Sequence, residues 1–170
     1  MPRERFRNNH NFLPKEALLS FEEIAKVVSS CIPLGLEKVR ITGGEPLLRK
    51  DLPKLVEMLS NLGLEIALTT NASLLKKQAQ ALRSAGLTRI TVSLDALDSE
   101  LHSKMSDSNI PVESVLEGIE EAIRVGLSPV KINCVVQKGV NEEEVSKLVN
   151  YFRYTDVKVR FIEYMDVGTT

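Results

Sequence analysis

The sequence predicts an α/β fold in which parallel strands alternate with helices and form a partial (β/α) barrel. Helical patterns and short aliphatic stretches alternate along the chain, which is typical of parallel sheets. Each expected strand has one aliphatic and one polar face, and two glycines and a carboxylate follow the first strand. The 170 residues, of which 43% are hydrophobic, have the size of one globular domain, so we expect a single domain over 1–170.

Six helices are expected from apolar residues at helical spacing and from signals at their ends. Capping residues mark four of the starts: Ser20, Asp51, Asp98 and Asn141. In the first and the sixth helix a glutamate follows three residues later, as in a capping box. Glycines mark four of the ends: Gly35, Gly63, Gly86 and Gly126. Residues 1–19 lack a clear period and are interpreted as an irregular leader.

The helical stripes that we expect to be buried consist of apolar residues three and four positions apart. They are Ile24, Val27, Val28 and Cys31 in the first helix; Leu52, Leu55, Val56, Leu59 and Leu62 in the second; Val115, Ile119, Ala122 and Ile123 in the fifth; and Val145, Leu148, Val149 and Phe152 in the sixth.

Five strands are expected over 38–42, 65–71, 89–95, 129–137 and 157–164. An aliphatic set should face the helices: Val39, Ile41, Ile66, Leu68, Ile90, Val92, Leu94, Val130, Ile132, Val157, Val159 and Phe161. The opposite set is largely polar: Arg40, Thr42, Thr69, Asn71, Thr91, Ser93, Asp95, Lys131, Asn133, Lys158 and Arg160.

The polar faces of the strands indicate a cavity that holds water or a polar ligand. Burying each unpaired polar group would cost about 1–3 kcal/mol, so this face cannot be a dry core. A closed eightfold barrel would instead fill its interior with branched aliphatic residues. We therefore infer a curved sheet or partial barrel around a wet cavity; the alternative is a sheet with one simply solvated face.

Composition and charge exclude several classes of function. With 22 Lys+Arg against 23 Asp+Glu, the chain lacks the basic excess of a general nucleic-acid binder. No apolar run reaches the roughly 20 residues of a membrane span, and the N-terminus lacks the apolar core of a signal peptide, so we expect a soluble, cytoplasmic protein. Cys31 and Cys134 are interpreted as core residues, and neither has metal-ligand spacing to His10 or His102, to which no role is assigned.

The turn after the first strand reads Thr42-Gly43-Gly44-Glu45-Pro46. Two glycines permit a positive φ and close approach of the backbone to a ligand, and Glu45 can receive an ammonium group. A plain strand-to-helix turn is the alternative. Its position at the carboxyl end of a parallel strand favours a ligand site.

Several segments together resemble radical S-adenosylmethionine enzymes, in particular the branch that cyclises GTP in molybdenum cofactor biosynthesis. They are the Gly-Gly-Glu-Pro turn with its preceding strand, Leu68-Thr69-Thr70-Asn71, Val92-Ser93-Leu94-Asp95, Pro129 to Asn133, and Arg160 to Gly168. The segments occur in the family's order and cover nearly the whole chain. The resemblance implies an enzyme of the lyase type with a partial barrel of the radical SAM type, truncated at both ends.

What the resemblance implies is assigned residue by residue. Gly44, Glu45, Ser93 and Met165 match positions that bind S-adenosylmethionine, whereas Arg40, Thr69 and Lys131 match positions that bind GTP. No catalytic or metal-binding residue is assigned, and a homodimer is a further expectation. Each residue also has an alternative: Arg40 and Lys131 paired with Asp95 and Glu163, Thr69 and Ser93 capping strand ends, and Met165 filling the core.

The sequence departs from the family at its ends and at one turn. The family binds a [4Fe-4S] cluster through Cys-x-x-x-Cys-x-x-Cys followed by Met-Pro, and this sequence starts at Met1-Pro2. The first strand, the cluster loop and a C-terminal region with a second cluster are therefore expected to be missing, and the chain alone is expected to be inactive because these clusters need thiolate ligands. Ala72 stands where the family has glycine, which alters the turn if that position requires a positive φ.

Two further hypotheses remain open. The chain could be a non-catalytic domain that binds GTP or S-adenosylmethionine. It could also be an aldolase-like barrel enzyme with Lys131 as a Schiff-base lysine.

Overall fold

The computed structural model describes residues 17–165. This part of the chain contains six α-helices and five strands, and α4 and α5 follow one another without a strand between them. In order they are α1 (Phe21–Cys31), β1 (Lys38–Ile41), α2 (Leu52–Ser60), β2 (Glu65–Thr70), α3 (Leu75–Ser84), β3 (Leu87–Ser93), α4 (Ser99–Ser106), α5 (Val112–Arg124), β4 (Val130–Val136), α6 (Glu142–Phe152) and β5 (Lys158–Glu163). Single 3-10 turns occupy Ile32–Leu34 and Pro46–Leu48. Residues 1–16 of the expected leader, including His10, lie outside the described residues.

The five strands form one parallel sheet in the order β1-β2-β3-β4-β5. Each strand pairs with the next one in the chain, and crossovers between parallel strands are right-handed, so the connecting helices lie on the same side of the sheet. The α/β fold with a parallel sheet, which the alternating pattern predicted, is confirmed. Among the described residues, no helix is long and apolar enough to span a bilayer.

The core lies between the helices and the aliphatic face of the sheet. Ile66, Leu68, Ile90, Val92 and Ile132 are at most 1% exposed, as the alternation predicted. Phe161 is an exception, because it is 39% exposed although its neighbour in the register, Cys134, is buried. The reason is its place on β5, which in the described part of the chain pairs with a strand on one side only.

The apolar stripes of the helices are wider than the part of each helix that is buried. Val27, Ile123 and Val149 were expected inside but are 59%, 44% and 44% exposed. Helix α1 has no fully buried residue, and Cys31 is half-buried rather than part of the core. The centre of each stripe contacts the sheet or a neighbouring helix, and residues at its margin remain in contact with solvent.

The capping box expected at the start of α1 is confirmed, whereas the capping hydrogen bond expected at the start of α6 is absent. The Ser20 side chain accepts from the Glu23 N–H, and the Glu23 carboxylate accepts from the Ser20 N–H. Asn141 occupies the N-cap position of α6 but makes no capping hydrogen bond with its side chain. Its amide instead donates to the carbonyls of Asp95 and Val135, which ties β4 to the loop after β3.

Two backbone positions show where the turns constrain the sequence. Ala72 has a φ of 61°, so the turn after β2 does require the conformation that favours glycine. Gly86, after α3, has a φ of 102°, and a Cβ at this position would lie 2.2 Å from Ser60 Oγ. A side chain at position 86 would therefore meet both backbone strain and a clash.

Candidate functional site

The turn after β1 exposes backbone to the carboxyl-end edge of the sheet. Gly43 has a φ of 152°, whereas the φ of Gly44 does not lie in the positive range that favours glycine. A Cβ at Gly44 would meet no protein atom within 4 Å. Neither protein packing nor backbone conformation thus requires a glycine at 44, and open space beside it is what a ligand needs to approach the backbone.

Glu45 connects this turn to the end of β2. Its Oε1 accepts from the Leu47 N–H at 2.9 Å and from the Thr70 hydroxyl at 2.7 Å, and its Oε2 accepts from the Asn71 N–H at 2.7 Å. Because Oε2 takes part in only one of these bonds, it keeps a lone pair for a further donor such as an ammonium group. The predicted role of Glu45, which is to receive an ammonium group, is compatible with this geometry.

The polar face of the sheet carries a row of side chains across four strands. The register places Thr69 beside Thr91, Thr91 beside Lys131, and Lys131 beside Lys158. Arg40 lies over the first two, because its Nη1 donates to Thr69 Oγ1 at 3.0 Å and to Thr91 Oγ1 at 3.1 Å. The structure thus brings together the three residues expected to bind GTP, Arg40, Thr69 and Lys131.

The alternative that Arg40 and Lys131 form ion pairs with Asp95 and Glu163 is wrong within the described part of the chain. Neither cation takes part in an ion pair there. Asp95 instead accepts from the Val135 N–H at 2.7 Å, and burial raises the pKa of its carboxyl.

Cations dominate the polar face. Burial, followed by the charges of Arg160, Arg89, Lys158 and Arg40, lowers the pKa of Lys131. The sequence analysis assigned no binding role to Thr91, which it placed on the polar face, and did not name Arg89, which strand alternation places on the same face. The described carboxylate that offsets part of this charge is Glu65, which lies 3.3 Å from Lys38 Nζ and 2.7 Å from Arg89 Nε.

Ser93 and Met165 lie toward the carboxyl ends of the strands. Ser93 ends β3, is exposed, and is adjacent in the register to Asn133, whose side-chain oxygen accepts from Arg160. Met165 is 73% exposed just beyond β5, so the alternative that it fills the core is wrong. Hydrogen bonds and register link Arg40, Thr69, Thr91 and Lys131, whereas Glu45 is bonded to Thr70 and Asn71 at the end of β2. Among the described residues, Met165 has no such link to the first four.

A buried polar network supports the loop that follows Ser93. Glu144 is 1% exposed, and its Oε2 accepts from the N–H groups of Leu97 and Asp98, while Lys147 contacts its Oε1 at 2.6 Å. These bonds lower the pKa of Glu144 although burial opposes them. His102, to which no role was assigned, is 5% exposed, and burial lowers its pKa.

The described residues fit S-adenosylmethionine and do not fit an iron–sulfur cluster. The open space at Gly44, the remaining lone pair of Glu45 and the exposed Ser93 hydroxyl suit a zwitterionic amino acid joined to a nucleoside. By contrast, residues 17–165 bring no three of His, Cys, Asp or Glu together as metal ligands. The two cysteines of the chain are separate, and burial raises the pKa of Cys134 to about 12, which disfavours the thiolate.

Comparisons with known proteins identify relatives of this chain. The family model described as the Radical SAM superfamily matches residues 5–152. Two relatives are called GTP 3',8-cyclase: that of Acidothermus cellulolyticus is 49% identical over 172 residues and 100% of this chain, and that of Staphylococcus carnosus is 51% identical over 170 residues and 99% of it. The chain spans about half of these curated relatives, 48% and 50% of their lengths.

The fold also has counterparts among solved structures. Streptococcus suis SuiB, in a crystal structure with bound S-adenosylmethionine, superposes with a TM-score of 0.76 over 89% of this chain and 35% of its own. Its sequence is 22% identical, so this likeness concerns the fold alone.

Proposed function

The chain belongs to the radical SAM superfamily, and on this premise we propose that it forms the nucleotide-binding face of a GTP 3',8-cyclase, an enzyme of molybdenum cofactor biosynthesis. Such an enzyme rearranges GTP to (8S)-3',8-cyclo-7,8-dihydroguanosine 5'-triphosphate. The names and identities of the two cyclase relatives support the proposal. The observation that carries it is the cationic polar face, on which Arg40 lies across Thr69 and Thr91 beside Lys131.

GTP suits this face because of its charge. Lys131 is surrounded by cations that disfavour its own protonation, and a polyphosphate would relieve that repulsion. Arg40 offers a planar guanidinium for an oxyanion, and Lys131 offers a point charge. Binding should therefore weaken as salt concentration rises, because screening reduces attraction between exposed charges.

S-adenosylmethionine is proposed to lie at the carboxyl-end edge. The Gly44 backbone and Glu45 Oε2 would hold its amino-acid part, and Ser93 and Met165 would contact the remainder. This cofactor supplies the radical chemistry of the superfamily. The residues of this chain are assigned to binding and orienting the two nucleosides, and none of them is assigned to bond making or breaking.

The proposal extends to location and assembly. We propose a cytoplasmic protein that forms a homodimer. The homodimer is supported by β1, which among the described residues pairs with β2 alone and leaves backbone groups on its other side. Size-exclusion chromatography with light scattering tests the assembly, and a monomer at micromolar concentration would contradict it.

A chimera tests the activity most directly. The chain would replace the matching half of the Staphylococcus carnosus relative, and anaerobic conversion of GTP with S-adenosylmethionine would be followed by chromatography. We expect turnover in the chimera, its loss by at least about tenfold in Arg40→Ala, and no change in Lys54→Ala, which alters an exposed lysine on α2. A stable chimera that carries its clusters and leaves GTP unchanged would refute the cyclase proposal.

The environment of Lys131 also favours the Schiff-base hypothesis as a second candidate, because burial and then the neighbouring cations lower its pKa, as in amine nucleophiles. Borohydride trapping of a carbonyl compound on Lys131 would support that candidate. A mass spectrum without the reduced adduct would exclude it for the compound tested.

A further inference from the structure

Thr91 differs from the other polar residues of its face in being buried. It is 2% exposed at the middle of β3, and its hydroxyl accepts from Arg40 Nη1 at 3.1 Å. A β-branched valine would suit the strand equally well, so strand formation does not require the hydroxyl. The bond to Arg40 is what distinguishes a threonine at this position.

Thr69 and Thr91 together accept both hydrogen bonds that one terminal nitrogen of the Arg40 guanidinium can donate. The terminal nitrogen Nη1 carries two hydrogens, and one goes to each hydroxyl. In the described chain Nε and Nη2 make no hydrogen bond or ion pair. These two nitrogens form one edge of the planar group, which matches two oxygens of a phosphate.

We propose that Thr91 is a positioning residue: with Thr69 it fixes the Arg40 guanidinium so that its Nε–Nη2 edge faces a phosphate of the bound nucleotide. This inference rests on the proposed function, which places an anionic nucleotide on the polar face. Without the Thr91 bond, the exposed Arg40 side chain keeps several rotamers in the free protein. Binding must then immobilise it, which lowers affinity without removing any contact to the ligand.

Matched substitutions on β3 separate this role from a structural one. Thr91→Val removes the hydroxyl at nearly constant shape, and Thr91→Ser keeps it. Thr88→Val is the control, because it makes the same change on the same strand and removes a 2.8 Å bond to the Ile66 carbonyl. Calorimetric titration of the 170-residue chain with GTP gives the affinities. Together with Thr91→Val, the Arg40→Ala variant and the variant that carries both substitutions complete a double-mutant cycle.

We expect Thr91→Val to weaken GTP binding about 3- to 10-fold, the affinity ratio for immobilising one long side chain. Thr91→Ser should recover most of the loss, and Thr88→Val should leave affinity within twofold. In the Arg40→Ala background, Thr91→Val should have no further effect, because Thr91 acts through Arg40. If Thr91→Val weakened binding equally in both backgrounds, the positioning role would be refuted.

The outcomes also distinguish this inference from the proposed function. If Arg40→Ala weakens binding and Thr91→Val does not, the inference fails while the nucleotide site stands. If the wild-type chain does not bind GTP, the nucleotide placement on this chain fails, and a second measurement decides the role of Thr91. NMR relaxation of Arg40 Nε–H should show more motion in Thr91→Val than in Thr88→Val, and equal motion would overturn the inference.

Discussion

Replacing Glu45 with glutamine should destabilise the chain through one mismatched hydrogen bond. The Asn71 N–H donates to Oε2, and Oε1 accepts from the Leu47 N–H and the Thr70 hydroxyl. If the glutamine oxygen takes the place of Oε1, its amide nitrogen faces the Asn71 N–H, and two donors then meet. Neither orientation of the amide satisfies all three donors.

The magnitude follows from the number of bonds and the loss of charge. A hydrogen bond to a charged group contributes about 1.5–3 kcal/mol and a neutral one about 0.5–1.5 kcal/mol. One bond is lost and two lose their charge, on a half-buried side chain where water compensates part of the cost. We therefore expect a loss of about 2–3 kcal/mol, which lowers the urea midpoint by about 1–1.5 M at a slope of about 2 kcal/mol/M.

The assay combines urea unfolding with amide hydrogen exchange. Glu57→Gln is the matched control, since Glu57 is exposed on α2, and it should shift stability by less than about 0.5 kcal/mol. Exchange at the Asn71 and Leu47 amides should accelerate in Glu45→Gln. Equal midpoints for the two variants would show that the carboxylate does not hold the turn.

Three other predictions concern charge, thiols and backbone. Burial raises the pKa of Asp95 above its ordinary 3.8. The protonated Asp95 carboxyl therefore stabilises the folded state below pH 3.8, and this stabilisation is lost as the pH rises through the pKa of the folded protein. Asp95→Asn should consequently have a higher Tm than wild type at pH 7 and no advantage at pH 3. A disulfide reagent at pH 8 should modify Cys31 in the native chain and Cys134 only in denaturant, since burial raises the pKa of the latter to about 12; two fast thiols would contradict this. Gly126→Ala should cost about 1–2 kcal/mol because of its φ of 79°, and Gly86→Ala should cost about 1–3 kcal/mol more because its Cβ also clashes; equal urea midpoints would refute the clash.

Strand alternation predicted the sheet because burial on one face acts on every second residue. Arg40, Thr69 and Lys131 were therefore assigned to the polar face, and the register confirms that they share a region of it. The burial of Thr91 could not be predicted in this way, because it depends on an arginine that reaches across two strands. A pattern along one strand contains no information about such contacts.

The predictions at Asn141 and Glu144 show a second limit of what can be predicted from the sequence. Their three-residue spacing matched a capping box, yet both side chains bond to segments that are distant in sequence. Local and distant partners offer the same kind of hydrogen bond, and only the folded chain shows which is closer. At Ala72 the sequence raised only the question whether the turn requires a positive φ, and the φ of 61° answers it.

The sequential strand order has a consequence for how the chain folds. Every strand of the described sheet pairs with the one synthesised directly before or after it, so none of these five strands waits for a distant partner. Each pairing closes a single crossover, which costs less chain entropy than joining strands from opposite ends of the sheet, and folding can proceed vectorially as the polypeptide leaves the ribosome. Limited proteolysis of ribosome-stalled chains should then show protection that spreads from β1–β2 toward β5, and protection that arises at once in the finished chain would contradict this. Each βα unit would provide the template on which the next one assembles.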